Sequence, residues 1–143
     1  MMAIAEMEAV LKEKGYKMTE QRRIILSVLE ENQVPMTAQE VFELVKKTHN
    51  NINFSTIYRN LEFLSELNIV DKLNLKSGVC HFEINRNSHH HHVICKGCGD
   101  MKTIDICPFK NIANEEFKKM NFEPVEHRFE IYGYCSKCSK SKK

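Results

Sequence analysis

Two Cys-x-x-Cys pairs constrain this chain more than any other feature of its sequence. The first pair is Cys95 and Cys98, and the second is Cys135 and Cys138. A Cys-x-x-Cys turn places two thiolates at one edge of a metal ion, so two such turns complete the tetrahedral shell of a structural zinc ion. The spacing therefore predicts a closed four-cysteine zinc site with a structural role. Free or redox-active thiols, or an iron ion in the same shell, are the alternatives.

The two remaining cysteines have no Cys-x-x-Cys partner. Cys107 stands beside a proline and is predicted to be buried as a small hydrophobic side chain. Cys80 is predicted either to be buried or to serve as a soft ligand for a second metal ion.

Composition indicates a globular protein. The chain has 143 residues, of which 42% are hydrophobic and 28% charged, which is enough apolar material for a core. No apolar run approaches the ~20 residues of a membrane helix, and the first residues lack the features of a secretory signal. We therefore expect a cytoplasmic protein with no membrane partner. The net charge of +2 neither demands nor excludes a nucleic-acid partner.

The fold is predicted to be α+β, with two domains. Residues 1–84 have the order of a winged helix-turn-helix, with a hinge within about 69–88, and residues 85–143 form a small second α/β domain that carries the four-cysteine site. The predicted helices with their caps are Ala3 to Lys14, a helix capped by Thr19, a helix from the capping box at Thr37 through Val45, Thr56 to Leu67 capped by Ser55, and 109–120. The predicted strands are 69–75 and 79–84, joined by a turn at 76–78, and 89–95, 101–106 and 125–132.

Four consecutive histidines lead into the first cysteine pair. Side chains alternate between the faces of a strand, so His89 and His91 would share one face, and His90 and His92 the other. Two His-x-His pairs predict two possible metal sites, for which imidazole and carboxylate ligands suit zinc, iron(II), manganese or nickel. A solvated polar strand or an engineered tag is the alternative. The candidate additional ligands are Asp71, Glu83, Asp105, His127 and Cys80.

The helix that begins near Thr56 is the candidate recognition helix. Its apolar stripe of Ile57, Leu61 and Leu64 puts Arg59 on the opposite face. Residues near the N-terminal end of such a helix reach base edges in the major groove of DNA. An ordinary packing helix is the alternative. The candidate DNA contacts are Ser55, Thr56, Tyr58 and Arg59.

Together these motifs resemble the ferric uptake regulator family. The resemblance is carried by residues 15–22, 55–61, 89–99 and 130–135 and extends over about 8–138. It implies a homodimeric, metal-activated transcriptional repressor in which residues 85–143 are the dimerisation and metal-binding domain, and which binds palindromic AT-rich operators and is not an enzyme. Segments 105–109 and 129–133 are similar to zinc uptake regulators, so the resemblance implies zinc-responsive control of metal-uptake genes.

The resemblance also implies roles for single residues. Lys17 matches a lysine that enters the minor groove, Arg22 lies in the same motif, and Tyr58 and Arg59 match base-contacting residues. The implied sensing shell is Asp71, Glu83, His90 and His92. The implied second site is His89, His91 and His127, with Asp105 as a candidate fourth ligand.

Two departures from the family pattern leave the sensed metal open. Ile84 stands where zinc regulators have a sensing cysteine, and Pro35 stands where iron and peroxide sensors supply a histidine. An iron- or manganese-loaded sensor of iron or peroxide is therefore the alternative within the family. A metalloenzyme or a zinc-ribbon interaction module is the alternative outside it, although the sequence has no H-E-x-x-H motif.

Overall fold

The computed structural model describes residues 4–75, 78–86, 89–111 and 115–141. The chain divides into two compact units, Met1–Ser88 and His89–Lys143. The division falls after Ser88, whereas the sequence pattern placed it after Ile84. The predicted helix start at Ala3 and the turn residues Lys76 and Ser77 lie outside the described residues.

The first unit consists of helices followed by a hairpin, the predicted order. The helices are α1 Ile4–Glu13, α2 Glu20–Asn32, α3 Ala38–Lys46 and α4 Phe54–Glu66, and the antiparallel strands are β1 Val70–Asn74 and β2 Cys80–Ile84. The Thr19 cap and the Thr37 capping box are both present, because each threonine hydroxyl accepts a backbone N–H from the first turn of its helix.

The predicted cap of α4 is wrong by two residues. The cap is Asn53, whose side-chain oxygen accepts the backbone N–H of Thr56 at 2.9 Å and the Thr56 hydroxyl at 3.0 Å. Ser55 therefore lies inside the first turn of the helix. Asparagine and serine are equally good caps, so the sequence preference alone does not choose between them.

The apolar core lies in the first unit. Its largest side chain is Phe82 of β2, which is fully buried. Phe82 exchanges two backbone hydrogen bonds with Met36, of 2.9 and 2.7 Å, and so ties the hairpin to the connection between α2 and α3. The other members are Met7, Leu11, Ile25, Leu26, Leu29, Met36, Ala38, Val41, Val45, Ile57, Leu61, Leu64, Ile69, Val70 and Ile84.

The second unit is built on a three-stranded sheet in the order β4-β3-β5. Strand β3 pairs with β4 in antiparallel orientation and with β5 in parallel orientation. The elements in chain order are β3 His91–Cys95, β4 Met101–Ile104, a 3₁₀ turn Pro108–Asn111, α5 Glu115–Lys119, β5 Glu130–Gly133 and α6 Ser136–Ser141.

Four predicted elements of this unit differ from the structure in their bounds, and the strands predicted over 89–95 and 101–106 are the shorter His91–Cys95 and Met101–Ile104. The helix predicted over 109–120 is a 3₁₀ turn and the short helix α5, with 112–114 outside the described residues. The strand predicted over 125–132 begins at Glu130, because pairing with β3 runs from His92 opposite Glu130 to Cys95 opposite Gly133. Helix α6 was not predicted, since its residues are polar and leave no apolar period.

The buried side chains of the second unit differ in kind from those of the first. Among the described residues of this unit they are Met101, the cysteines Cys95 and Cys107, and the histidines His91 and His92. Four of these five are metal-ligand types, so metal binding rather than apolar burial is the main source of stability available to this unit. Across the described ranges, no helix is long and apolar enough to cross a bilayer.

Candidate metal centres and nucleic-acid interface

The four paired cysteines converge as the spacing predicted. Cys95, Cys98, Cys135 and Cys138 form one group, the four-cysteine cluster, whose sulfur atoms all lie within 4.8 Å of one another. The Sγ atoms of Cys98 and Cys135 are 3.8 Å apart. Sulfurs bound at ~2.3 Å around a tetrahedral zinc ion are separated by roughly 3.8 Å, so the cluster fits this ion.

Backbone N–H groups prepare Cys95 to be a thiolate. Its Sγ accepts hydrogen bonds from Gly97 at 3.3 Å, Cys98 at 3.5 Å and Cys135 at 3.3 Å. These bonds, led by that from Cys135, lower the pKa of Cys95 to about 6. Hydrogen bonds to the sulfurs of Cys135 and Cys95 raise the pKa of Cys138 to about 12. A bound cation favours loss of the Cys138 proton, because its positive charge allows all four sulfurs to be negative at once.

Gly97 allows the two Cys-x-x-Cys turns to approach each other. A Cβ atom at this position would lie 2.7 Å from Cys138 Sγ and 2.8 Å from Cys138 Cβ. Any larger residue at position 97 therefore forces the turn that contains Cys138 away from the turn that contains Cys95.

A second cluster contains three of the four predicted ligands. His89, His91 and His127 direct their Nε2 atoms to one point, with His89 3.0 Å from His91 and from His127, and His91 3.3 Å from His127. The fourth member of this group is Cys107. Asp105, the predicted candidate, is exposed and is not a member.

Cys107 is buried as predicted, and its sulfur atom lies beside two imidazoles. Its Sγ lies 3.0 Å from His89 Nε2 and 3.3 Å from His127 Nε2. The prediction of a buried small side chain did not include these histidine neighbours. No local pattern in the sequence identified these neighbours, because His89 and His127 are 18 and 20 residues away from Cys107 along the chain.

Two aromatic rings pack against this second cluster, of which His89 is the exposed member. Phe109 stacks on His127 with centroids 4.5 Å apart, and Phe129 presents its edge to His91 at 5.3 Å. Burial, followed by the neighbouring imidazoles, lowers the pKa of His91, which favours the neutral form that binds metals.

The predicted sensing residues lie in both units. In the first unit, Asp71 and Glu83 are opposite each other on β1 and β2 and share a face of the hairpin. Asn85 donates a hydrogen bond to Asp71 at 3.2 Å, and Glu83 is only 3% exposed. In the second unit, the rings of His90 and His92 are neighbours, with centroids 5.1 Å apart.

The outer face of α4 is the candidate nucleic-acid interface. Tyr58 and Arg59 are exposed, whereas Ile57 and Leu61 are buried as predicted. Ser55 is also exposed, and its carbonyl oxygen accepts a hydrogen bond from Arg59 Nε at 3.4 Å. The Thr56 hydroxyl is engaged in the cap, and Lys17 is exposed in the segment before α2.

Arg22, also predicted to contact DNA, makes several contacts within its own unit. Its guanidinium donates to the Lys17 carbonyl at 2.7 Å and to Asn60 Oδ1 at 3.3 Å, and it lies 4.3 Å from the centre of the Phe63 ring. These contacts fix the segment containing Lys17 against α4. The structure thus supports a positioning role for Arg22.

A polar network beside the exposed face of α4 was not predicted. Glu62 accepts a hydrogen bond from Lys72 Nζ at 2.8 Å, which lowers the pKa of Glu62 and raises that of Lys72. A hydrogen bond to Glu62 also raises the pKa of Tyr58. The Tyr58-to-Glu62 spacing is helical and readable in the sequence. The pairing with Lys72 on β1 depends on the tertiary fold.

Comparison with known proteins identifies the family to which the chain belongs. A model of the Ferric uptake regulator family matches residues 13–132. The chain belongs to this family. It is 32% identical over 133 residues to the ferric uptake regulation protein of Bacillus subtilis strain 168, covering 90% of this chain and 89% of the relative. It is 30% identical over 135 residues to the peroxide-responsive repressor PerR of Staphylococcus aureus strain USA300, covering 94% and 90%.

The fold agrees with that of a solved ferric uptake regulator. The structure of the Helicobacter pylori protein, described as having three functional metal-binding sites, superposes with a TM-score of 0.82 at 26% identity over 98% of this chain and 93% of that one. Members of the ferric uptake regulator family are metal-responsive transcriptional regulators, and the resemblance inferred from the sequence is confirmed. These relatives include both an iron regulator and a peroxide-responsive repressor.

Proposed function

We propose that this chain is a homodimeric repressor that binds palindromic AT-rich operators of metal-uptake genes when it has bound zinc. One observation carries the proposal, namely the division of four consecutive histidines, just before and at the start of β3, into two pairs with different neighbours. His89 and His91 join the Cys107 cluster, whereas the rings of His90 and His92 pair with each other. The second pair supplies two ligands for a separate metal ion.

The proposed sensing ion takes its remaining ligands from the hairpin of the first unit. Asp71 and Glu83 share a face there, and a buried carboxylate such as Glu83 is uncommon unless it is paired or binds a cation. A metal bound by ligands from two units is held fully only in the conformation that assembles them. A shift from 1:99 to 99:1 in favour of this conformation requires ~10⁴-fold tighter binding to it.

The number of ligands favours zinc. Two carboxylates and two imidazoles complete a tetrahedral shell, whereas manganese prefers about six ligands. Pro35, at the position where iron and peroxide sensors supply a histidine, cannot add a fifth ligand. A second candidate is an iron- or manganese-loaded sensor. It is favoured by the absence of sulfur from the four proposed sensing ligands, since oxygen and nitrogen donors suit these ions.

DNA binding at controlled metal concentrations tests the proposal. Fluorescence anisotropy with a palindromic AT-rich duplex is measured in chelator and then in buffered series of free zinc, iron(II) and manganese(II). We expect tight binding of the duplex to appear already at the lowest free zinc concentrations of the series. Activation by iron or manganese with indifference to zinc would establish the second candidate, and metal-independent affinity would contradict both.

Matched arginine variants test the interface. We expect Arg59→Ala to keep its metal content and lose at least about tenfold in operator affinity, the effect of losing one good base contact. Arg23→Ala is the control, because Arg23 is exposed on α2 and contacts only Glu8 in the salt bridges of the described residues. Equal losses in both variants would indicate a general charge effect rather than a placed contact.

A further inference from the structure

We infer that Cys107 is a metal ligand that makes the cluster of His89, His91, Cys107 and His127 a site with three nitrogens and one sulfur, selective for zinc over iron(II) and manganese(II). The inference goes beyond the proposed function, because it concerns a different set of ligands from the sensing shell. It assigns the fourth ligand to a thiolate rather than to a carboxylate.

The distances fit a tetrahedral ion. Nitrogens at ~2.05 Å and a sulfur at ~2.3 Å from a tetrahedral zinc ion are separated from one another by roughly 3.3–3.5 Å. Five of the six ligand-to-ligand distances are between 3.0 and 3.3 Å. The four atoms therefore already surround one point, and a small outward movement of each accommodates the ion.

Hydrogen bonding alone does not explain this arrangement. The Nε2 atoms of His89, His91 and His127 form a triangle with sides of 3.0, 3.0 and 3.3 Å. Each Nε2 of a neutral imidazole is either a donor or an acceptor. Three atoms with two roles leave at least one pair alike, with two lone pairs or two N–H groups facing each other. A central cation satisfies all three, because every nitrogen then presents a lone pair to it.

The surroundings of the cluster suit a stable thiolate–metal bond. Cys107 is only 6% exposed, and the Phe109 ring stacks on the ring of His127. Sulfur and imidazole donors favour zinc, whereas oxygen donors are required for strong discrimination in favour of manganese. This chain would then hold zinc here regardless of which metal its oxygen-containing sensing shell selects.

Cobalt(II) spectroscopy on the intact chain tests the thiolate. The four-cysteine cluster is first filled with zinc, whose retention is measured, and cobalt(II) is then titrated. The zinc is limited to one equivalent per chain, so that the site of His89, His91, Cys107 and His127 is left for cobalt(II). We expect a sulfur-to-cobalt charge-transfer band in the wild type and in Cys80→Ser, and its loss in Cys107→Ser. Cys80 is the control because it is the other cysteine outside the four-cysteine cluster. A band that survives in Cys107→Ser, or one that is lost in Cys80→Ser, overturns the assignment.

Two measurements keep the test independent of folding of the serine variant. X-ray absorption of the zinc-loaded wild type should require more sulfur per chain than the four-cysteine cluster supplies. In Cys107→Asp we expect manganese(II), followed by electron paramagnetic resonance, to compete with zinc at least about tenfold better than in the wild type. A sulfur count equal to that of the four-cysteine cluster alone, together with unchanged competition, contradicts the inference. Neither readout involves DNA, so failure here is distinguishable from failure of the proposed repressor function.

Discussion

The ring of Phe109 lies flat against the ring of His127, with centroids 4.5 Å apart and planes 14° from parallel. His127 lies in the segment before β5, where regular strand pairing has not yet begun. The stack is therefore a principal restraint on the orientation of this imidazole. Through this stack, the 3₁₀ turn that carries Phe109 helps to fix the geometry of the cluster of His89, His91, Cys107 and His127.

We expect Phe109→Ala to weaken zinc binding by the cluster of His89, His91, Cys107 and His127 about tenfold, which is the usual effect of losing a group that orients a ligand. Competition with a chromophoric chelator measures the affinity. Phe122→Ala is the matched control, because Phe122 is 59% exposed and its described ring contact is with Phe117. If the two variants bind zinc equally well, the stack does not orient the ligand.

Gly97→Ala should weaken zinc binding by the four-cysteine cluster about tenfold or more. The new methyl group would meet Cys138 Sγ at 2.7 Å, and overpacking of this kind costs about 1–3 kcal/mol. Zinc content after dialysis against a chelator provides the measurement. Gly133→Ala is the control, since a Cβ there meets no atom of the described residues within 4 Å. Full zinc retention in both variants would contradict the close approach.

Arg22→Ala should lower the free energy of unfolding by about 1–2 kcal/mol, because it removes two hydrogen bonds from a charged donor and a cation–π contact. Operator affinity should also fall, through the segment that carries Lys17. Urea denaturation measures the stability. Arg23→Ala is expected to change it by less than about 0.5 kcal/mol, since its ion pair with Glu8 is exposed. Similar values for the two variants would rule out the positioning role.

The parts of this protein that were predicted from sequence are those fixed by local spacing. The Cys-x-x-Cys turns, the alternation of His89 to His92, and the inward stripe of α4 each follow from the period of one element. The role of Cys107 was missed because it depends on where the 3₁₀ turn and the segment around His127 meet β3. This contact forms only in the tertiary structure, so no local period in the sequence predicts it.

The cap of α4 illustrates the same limit at shorter range. Asn53 and Ser55 both have capping side chains, and only the structure shows which one accepts the first N–H groups. We expect Asn53→Ala to lower the free energy of unfolding by about 1 kcal/mol and Ser55→Ala by much less, in urea titrations of both variants. The reverse order would restore Ser55 as the cap.

The ion pair of Glu62 and Lys72 should make stability depend on pH. The hydrogen bond from Lys72 lowers the pKa of Glu62 in the folded state, so its contribution is present above the ordinary pKa of a glutamate and is lost as the pH falls through the folded value. Glu62→Gln should therefore cost ~0.2–1 kcal/mol near neutral pH, a small amount because both groups are partly solvated. The difference from the wild type should vanish in acid. Thermal unfolding across this range checks it, and a constant difference at all pH values would refute the linkage.

The parallel pairing of β3 with β5 also bears on how fast the two units fold. In the first unit, the hairpin closes between neighbouring strands, and the long-range contact from Met36 to Phe82 is accompanied by burial of the apolar core. The second unit must bring His92 beside Glu130 before its sheet is complete, so it has to close a long loop with little apolar burial to reward it. Metal ions that bridge the same distant segments would shorten this search. The rate at which the chain becomes competent to repress would then depend on metal supply during folding, in addition to metal supply afterwards.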